Sequence, residues 1–538
     1  MSPAGRFEVL LGLMTLVIVL ELIARRLRLP PAGTLILGGI ALALVPGTPD
    51  FAIDPELVLV LFLPPLLLAG AYFTAWRDFK ADLRVILQLA VGAVGFTTLA
   101  VGVVAHLVVP SLPWAAAFAL GAIVSPPDAV AAKAVLQNLR LPQRMNVLLE
   151  GESLVNDATG LVLFRFAVLA GTTGHFSAAE ASLAFVVLAA GGVAAGLAFG
   201  AIGSRLIARL HDPILAIAAS FILAWASYIV ADGAGVSGVL STVTCGLVMG
   251  WRQHTVLDAV TRMQARAAWD VIVFILESMV FILIGLSLRG VVARLGGWGA
   301  ALDLLPATGA IVAAVIVSRF VWIIPAAYLT RFLFPRIRAH DPYPPLAIPI
   351  VMSWAGMRGV VSLAAALTLP EPFPGRDFIL GATFLVILVT VLVQGATLES
   401  LIRALHVAEF AGGREPKLLS EAAARARIAA AQFAAVQEEA RAEEGSPSRH
   451  PRLLEQYEYR ARAAARFSQS EAELSPDREE HFRVVLAAVA AGREELLRLH
   501  RRGEIHDTVL HALEQELDLE EMSARRYAGA SSEHGRAA

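Results

Sequence analysis

The sequence predicts an all-α polytopic membrane protein with about 13 transmembrane helices, inverted repeats and two interrupted crossing helices, followed by a soluble helical C-terminal domain. Three observations lead there. The 538 residues are 57% hydrophobic and only 17% charged, with a mean hydropathy of +0.66, which lies outside the range of soluble domains. Apolar runs of membrane-spanning length recur along the first three quarters of the chain. Lys and Arg fall on alternate loops between those runs.

The runs lie at about 7–24, 31–46, 55–73, 84–109, 113–138, 147–171, 179–208, 213–231, 233–251, 269–288, 300–329, 344–369 and 377–402. With the N-terminus outside, the inner loops carry Arg25, Arg26, Arg28, Arg77, Lys80, Arg84, Lys133, Arg140, Arg144, Arg205 and Arg209. Arg252, Arg262, Arg266, Arg331, Arg336 and Arg338 follow on the same side, against Arg289, Arg294 and Arg376 outside. Gaining or losing one span would scramble this asymmetry. The first run ends in Ala24-Arg25-Arg26-Leu27-Arg28 without a small-residue cleavage site, so it reads as a retained span.

Span five is interrupted by Ser125-Pro126-Pro127-Asp128, where two consecutive prolines remove two backbone donors and break the helix. Span twelve carries Trp354-Ala355-Gly356-Met357-Arg358-Gly359, with two glycines and an arginine at mid-span, and a second break is expected there. Non-helical backbone at membrane depth survives only where protein or a water-filled cavity covers it. Two interrupted spans, one in each half, point to an inverted-repeat transporter whose site lies at the breaks.

Span six, Gly151-Glu152-Ser153-Leu154-Val155-Asn156-Asp157-Ala158-Thr159-Gly160-Leu161-Val162-Leu163-Phe164-Arg165, carries charges that an ordinary span would not accept. At 100° per residue Glu152 lies one turn below Asn156, and Ser153 one turn below Asp157. Their oxygens suit a hard monovalent cation, and carbonyls freed at Pro126 and Pro127 would add more. Asp128 brings a second carboxylate, in position to cap a half-helix beginning at Ala129. Arg165 is eight residues beyond Asp157, about 12 Å along the axis, too far for a pair with it. Glu152 needs a cationic partner, and Arg319, in the middle of span eleven, is equally in need of an anion. A buried Glu152–Arg319 pair would solve both problems, with Arg358 as the rival partner.

Beyond about residue 410 the composition turns to Ala, Glu and Arg with helical periodicity through 419–443, 452–467 and 476–524, punctuated by Gly445-Ser446-Pro447-Ser448. This divides the chain into a transmembrane domain, 1–409, and a helical regulatory domain, 410–538, which the positive-inside rule places in the cytoplasm. Val484, Leu486, Val489, Leu496 and Leu497 suit the core of a small bundle. A net charge of −2 without a clustered basic excess gives no sign of a nucleic-acid partner, and none is expected. The single cysteine, Cys245, excludes an intrachain disulfide. There is no phosphate-binding loop, no Ser-His-Asp order and no CxxC, the histidines show no metal spacing, and no cofactor is called for.

The Ser125–Val130 segment, the Gly151–Asp157 segment, Ser318-Arg319 and Gly356-Met357-Arg358-Gly359 together resemble the monovalent cation/proton antiporters of the NhaP and sodium/proton exchanger branch, in its bacterial form. The similarity runs over spans three to thirteen, with four motifs in the same order. It implies a plasma-membrane homodimer in which a core domain moves against a dimerisation domain, with Na+ and H+ as substrates and the bilayer as surroundings. By position it implies that Asp157 binds the ion or the proton and that Asn156, Ser153 and Asp128 complete the ligand set. Glu152 and Arg319 match the family's core ion pair. The Asn-Asp order marks the branch associated with electroneutral exchange. Two departures stand out. Leu63-Pro64-Pro65 is followed by Leu66-Leu67-Leu68-Ala69 where relatives carry an acidic residue, and Pro127 replaces a threonine that some relatives place before the aspartate. The resulting expectation is an Na+/H+ antiporter, with Li+ and K+ as further ions and K+/H+ exchange as the alternative. An intramembrane aspartyl protease built on Asp128 and Asp157 lacks the required flanks, and a cation channel is the remaining competitor.

Overall fold

The computed structural model describes residues 3–27, 29–46, 55–128, 132, 136, 141–174, 178–412, 419–440, 450–469 and 471–535. It consists of helices, with no strand among the described residues, and divides into two compact units, Met1–Gly413 and Arg414–Ala538.

In the first unit the helices run α1 (Pro3–Leu27), α2 (Pro31–Leu44), α3 (Pro55–Phe73), α4 (Trp76–Ala81), α5 (Leu83–Leu87), α6 (Val94–Val108), α7 (Trp114–Val124) and α8 (Gln143–Thr173). They continue as α9 (Ala178–Ile207), α10 (Pro213–Gly233), α11 (Gly238–Val256), α12 (Ala259–Leu286), α13 (Leu288–Arg294), α14 (Trp298–Asp303), α15 (Leu305–Leu333) and α16 (Pro335–His340). The last are α17 (Ala347–Trp354), α18 (Val360–Leu367), α19 (Arg376–Val389) and α20 (Gly395–Ala404). Helical segments thus fall on each of the thirteen expected spans. Among the described residues seven helices are long and apolar enough to cross a membrane, and the apolar helices at 31–44, 59–73 and 114–124 are shorter.

Span four is one helix whose middle turn, Gln88–Ala93, is wound as a π-helix joining α5 to α6, and Thr390–Gln394 does the same between α19 and α20. The sequence carries no signal for either that periodicity could detect. Span eleven begins later than its hydropathy suggests, because the chain turns at Leu304 between α14 and α15. The second half of span five, with the cap expected of Asp128 over a helix from Ala129, lies outside the described residues apart from Ala132 and Leu136.

Two bundles emerge from the packing. In one, α6 lies on α7 and α15, α7 on α8, and α15 on α17 and α19. In the other, α11 lies on α9, α10 and α3, and α12 on α2. The α2–α12 contact is set by glycines: a methyl group at Gly39 would stand 2.4 Å from the Ile282 carbonyl oxygen, and one at Gly285 would stand 2.3 Å from that of Ile36. Close backbone approach through small residues is how helices gain packing where lipid offers no hydrophobic drive.

The second unit holds α21 (Glu421–Glu439), α22 (Pro451–Gln469), α23 (Glu471–Arg501) and α24 (Asp507–Gly535), with α21 on α22 and α23 on α24. Val489 and Leu496 are buried, Leu486 and Leu497 partly so, but Val484 is 56% exposed, so its expected place in the core is corrected. It lies on the other side of the helix from Val489, five residues away. Arg493 instead ties α23 to α24 through Asp518 and Glu521. The Gly445–Ser448 punctuation lies outside the described residues.

Gly285→Val meets backbone rather than a yielding side chain, so it should cost upwards of about 1–3 kcal/mol and lower the melting temperature in detergent. Gly290→Val, at a position with open space around the absent side chain, should leave it unchanged.

Candidate functional site

Helix α8 carries the polar stretch of span six in its middle and ends at Gly174, whose φ of 72° is the left-handed cap that glycine adopts without cost. Glu152, Asn156 and Asp157 are all buried, and Ser153 is partly so. The helix reaches the first break through Gly160, where a methyl group would come within 2.2 Å of Pro126 Cγ. A larger residue would push α8 away from the interrupted span.

Both breaks leave backbone groups without helical partners, and side chains satisfy them. At the first, α7 ends at Val124, whose carbonyl accepts from Arg358 Nε. Asn156 Nδ2 donates to the Pro127 carbonyl at 2.5 Å, tying α8 to the unwound segment. At the second, α17 ends at Trp354. Arg319 Nη2 donates to the Met352 carbonyl at 3.0 Å and Arg319 Nε to that of Ser353 at 3.3 Å, so a guanidinium stands at the negative end of the half-helix. The breaks also join each other: the Asp128 N–H donates to the Met357 carbonyl at 2.7 Å. Gly359 is packed so closely on Asp128 that a methyl group there would lie 1.7 Å from Oδ2.

Glu152 and Arg319 form a two-pronged pair, Nη1 to Oε1 at 2.7 Å and Nη2 to Oε2 at 3.2 Å, with each side chain 2% exposed. Arg358 takes a different place. Fully buried, it donates to Val124 and Gly356 carbonyls, while its backbone N–H donates to Thr390 Oγ1 at 3.0 Å. Its Nη2 has no partner among the described residues. Arg165 pairs with Asp232 of α10 at 2.8 Å. Sequence reasoning missed both Thr390 and Asp232. A polar residue in an apolar run was the available signal for Thr390, and an acid at the end of a span for Asp232.

Beside Asp157 the structure offers an acceptor. The Pro127 carbonyl can only accept, so it fixes the amide of Asn156 with its NH2 toward the break and its oxygen away. Asn156 Oδ1 is buried and has no hydrogen-bond partner among the described residues. Buried acceptors are normally satisfied, so a buried oxygen left open on the residue before Asp157 is an acceptor that a small cation could use. Asp128 lies within electrostatic range of Asp157. No group of three or more His, Cys, Asp or Glu side chains able to hold a metal ion occurs among the described residues.

Away from the site, an ionic cluster ties the starts of α5 and α8 to the segment after α15. Arg144 pairs with Asp82 at 2.6 Å and with Asp341 at 2.8 Å, and Asp341 also holds Arg84 at 3.0 Å and Arg331 at 2.7 Å. Burial pushes the Asp341 carboxyl up, but the hydrogen bonds and charges of Arg144 and Arg331 outweigh it and hold the group below its ordinary value. With its folded value depressed, its stabilisation is present above the unfolded value near 3.9 and is lost only as pH falls through the lower folded one. The cluster therefore stays closed across the neutral range.

Comparisons with known proteins bear on the family. A family model described as the transmembrane sodium/hydrogen exchanger matches residues 12–404. An uncharacterized Na(+)/H(+) exchanger of Mycobacterium tuberculosis is 33% identical over 96% of this chain and 95% of its own. One of Escherichia coli is 32% identical over 94% and 97%. A sodium, potassium, lithium and rubidium/H(+) antiporter of Bacillus subtilis is 31% identical over 73% of this chain and 61% of its own. Among solved structures, the sodium proton antiporter MjNhaP1 of Methanocaldococcus jannaschii shares the fold, with a TM-score of 0.58 at 20% identity over 77% of this chain and 100% of that one.

Removing one partner of a buried pair strands the other at a cost of about 3–5 kcal/mol. Glu152→Ala and Arg319→Ala should therefore each lower the melting temperature in detergent, and the double variant should lose far less than the sum of the two. Additive losses, or coupling of Glu152 to Arg358 instead, would contradict the pairing.

With the broken-helix crossing, the buried carboxylate and the family match over 12–404 all on one chain, this multi-pass membrane protein belongs to the sodium/hydrogen exchanger family.

Proposed function

We propose that the chain exchanges Na+ for H+ by alternating access, with Asp157 binding either the proton or the cation and Asn156, Ser153 and Asp128 completing the cation's oxygen shell. The observation that carries this reading is the open, buried Asn156 Oδ1 beside Asp157 at the crossing of two broken helices. A carrier that crosses only when that carboxylate holds one of the two ions couples their movements without any further device. Glu152 and Arg319 keep the crossing in register, and Arg358, with Pro126 and Pro127, supplies the electrostatics of the breaks. If Asp157 alone titrates, exchange is one for one and electroneutral.

The distribution of Lys and Arg supports a plasma-membrane orientation with the N-terminus outside and residues 410–538 in the cytoplasm, regulating the transmembrane part, 1–409. Resemblance to the family supports a homodimer. A second reading, K+/H+ exchange, or a broad range including Li+, is favoured by the Bacillus subtilis relative, whose name covers four cations.

Asp157→Asn removes the titrating charge and keeps the shape. In proteoliposomes with an internal pH dye it should abolish Na+-driven proton movement without loss of folded protein, while clamping the membrane potential should leave the wild-type rate unchanged. Substantial exchange in the variant would place the site elsewhere, and acceleration of the wild type by either sign of potential would show that a second group carries charge.

A further inference from the structure

The two bundles of the membrane unit differ in what they carry. The bundle of α6, α7, α8, α15 and α17–α19 holds Asp157 and both breaks, whereas α10 packs against α9, α11, α3 and α12. Glu152–Arg319 stays within the first bundle, and Arg144–Asp82 and Arg331–Asp341 tie its helices α8 and α15 to the chain just before α5 and just after α16. Arg165–Asp232 instead leaves the first bundle. It runs from the ion-carrying helix, two turns beyond Asp157, to the penultimate residue of α10, with Nη2 and Oδ1 2.8 Å apart. One turn below Asp232, Tyr228 is buried, so the α10 end of the bridge is anchored in packed structure.

We infer that Arg165 and Asp232 form a clasp that holds the ion-carrying helix against the second bundle in one state of the transport cycle and must open for the other. This rests on the alternating-access reading above. The strength of the pair suits the task. Protein leaves 56% and 41% of its two side chains uncovered, and an ion pair that water can reach biases an equilibrium by only about 1.4- to 5-fold. Such a contact sets the balance between two states without trapping either. A buried pair such as Glu152–Arg319 could not open on every turnover, because each opening would strand two desolvated charges. On the orientation proposed above, the clasp sits toward the outer face. It therefore closes the outer side of the boundary while leaving Asp157 to the inner side.

Neutralising either partner should shift the balance toward the released state, and the apparent affinity for a cation follows the fraction of the competent state. Arg165→Gln and Asp232→Asn should each change the KM for external Na+ by about 1.4- to 5-fold. The charge-swapped double variant, Arg165→Asp with Asp232→Arg, should return it toward the wild-type value. A merely structural role would leave KM unmoved, or would not be rescued by the swap.

The decisive test bridges the pair. Arg165→Cys with Asp232→Cys is treated in proteoliposomes with a bis-methanethiosulfonate reagent and then with a reductant. The native Cys245 is fully buried, and the untreated parent and the two single-cysteine variants serve as controls. Bridging should abolish exchange and reduction should restore it, while the single variants keep their activity with the reagent present. Full exchange by the bridged protein would overturn the clasp, as would two thiols that each label but never bridge. An unmodified parent that shows no exchange would instead overturn the proposed function, so the two failures are distinct.

Discussion

Backbone carbonyls released inside a membrane must find donors within the protein, because lipid supplies none. Everything else at this crossing depends on how that requirement is met. Val124 and Gly356 carbonyls are held by Arg358, Met352 and Ser353 by Arg319, Pro127 by Asn156, and Met357 by the backbone of Asp128. Each interrupted helix ends on a guanidinium, so the charge that would be most costly in a membrane is spent where the backbone is most in need of it. Arg319 then needs an anion and has Glu152, whereas Arg358 is satisfied by carbonyls alone on two of its three nitrogens. The arrangement explains how two arginines tolerate burial with, among the described residues, one carboxylate directly paired.

The same requirement prepares the candidate ion site. Asn156 satisfies Pro127 with its amide nitrogen, and its oxygen is left buried without a hydrogen-bond partner among the described residues, one residue before Asp157. A structural hydrogen bond at the break thus leaves an open acceptor at the place where the proposed ion binds. Gly160 and Gly359 act in the same direction, since any side chain at either position would collide with Pro126 or Asp128 and pull the elements apart. Ala69 is buried in an apolar cluster with Leu68, Tyr72 and Cys245, so this position makes a packing contact.

Span positions and both breaks were legible because their signals are local: continuous apolar runs, a Pro-Pro pair and a Gly-x-Arg-Gly pattern. The need of Glu152 for a cation could also be read from charge alone, and Arg319 was its nearest equivalent in the apolar sequence. What could not be read was the use each arginine makes of backbone. Whether Arg358 meets a carboxylate or a helix end depends on how two spans cross whose contacting residues are 234 positions apart, and hydropathy carries no such information. The π-helical turns at Gln88–Ala93 and Thr390–Gln394 were equally invisible, because one extra residue in a turn leaves an all-apolar pattern unchanged. Val484 was misplaced for the opposite reason: a bundle of Ala-rich helices offers several apolar strips, and periodicity alone does not choose among them. The ionic cluster around Asp341 required three separate segments to meet, and no spacing in the sequence announces that.

The central claim is that one carboxylate, Asp157, holds either the proton or the cation. The most direct test is the apparent KM for Na+ measured across pH in proteoliposomes under symmetrical conditions. Competition for a single group predicts that, below the pKa of that group, each pH unit lost raises KM about tenfold with the maximal rate unchanged. A maximal rate that falls with pH while KM stays constant would mean that proton and cation occupy different groups, and would contradict the account.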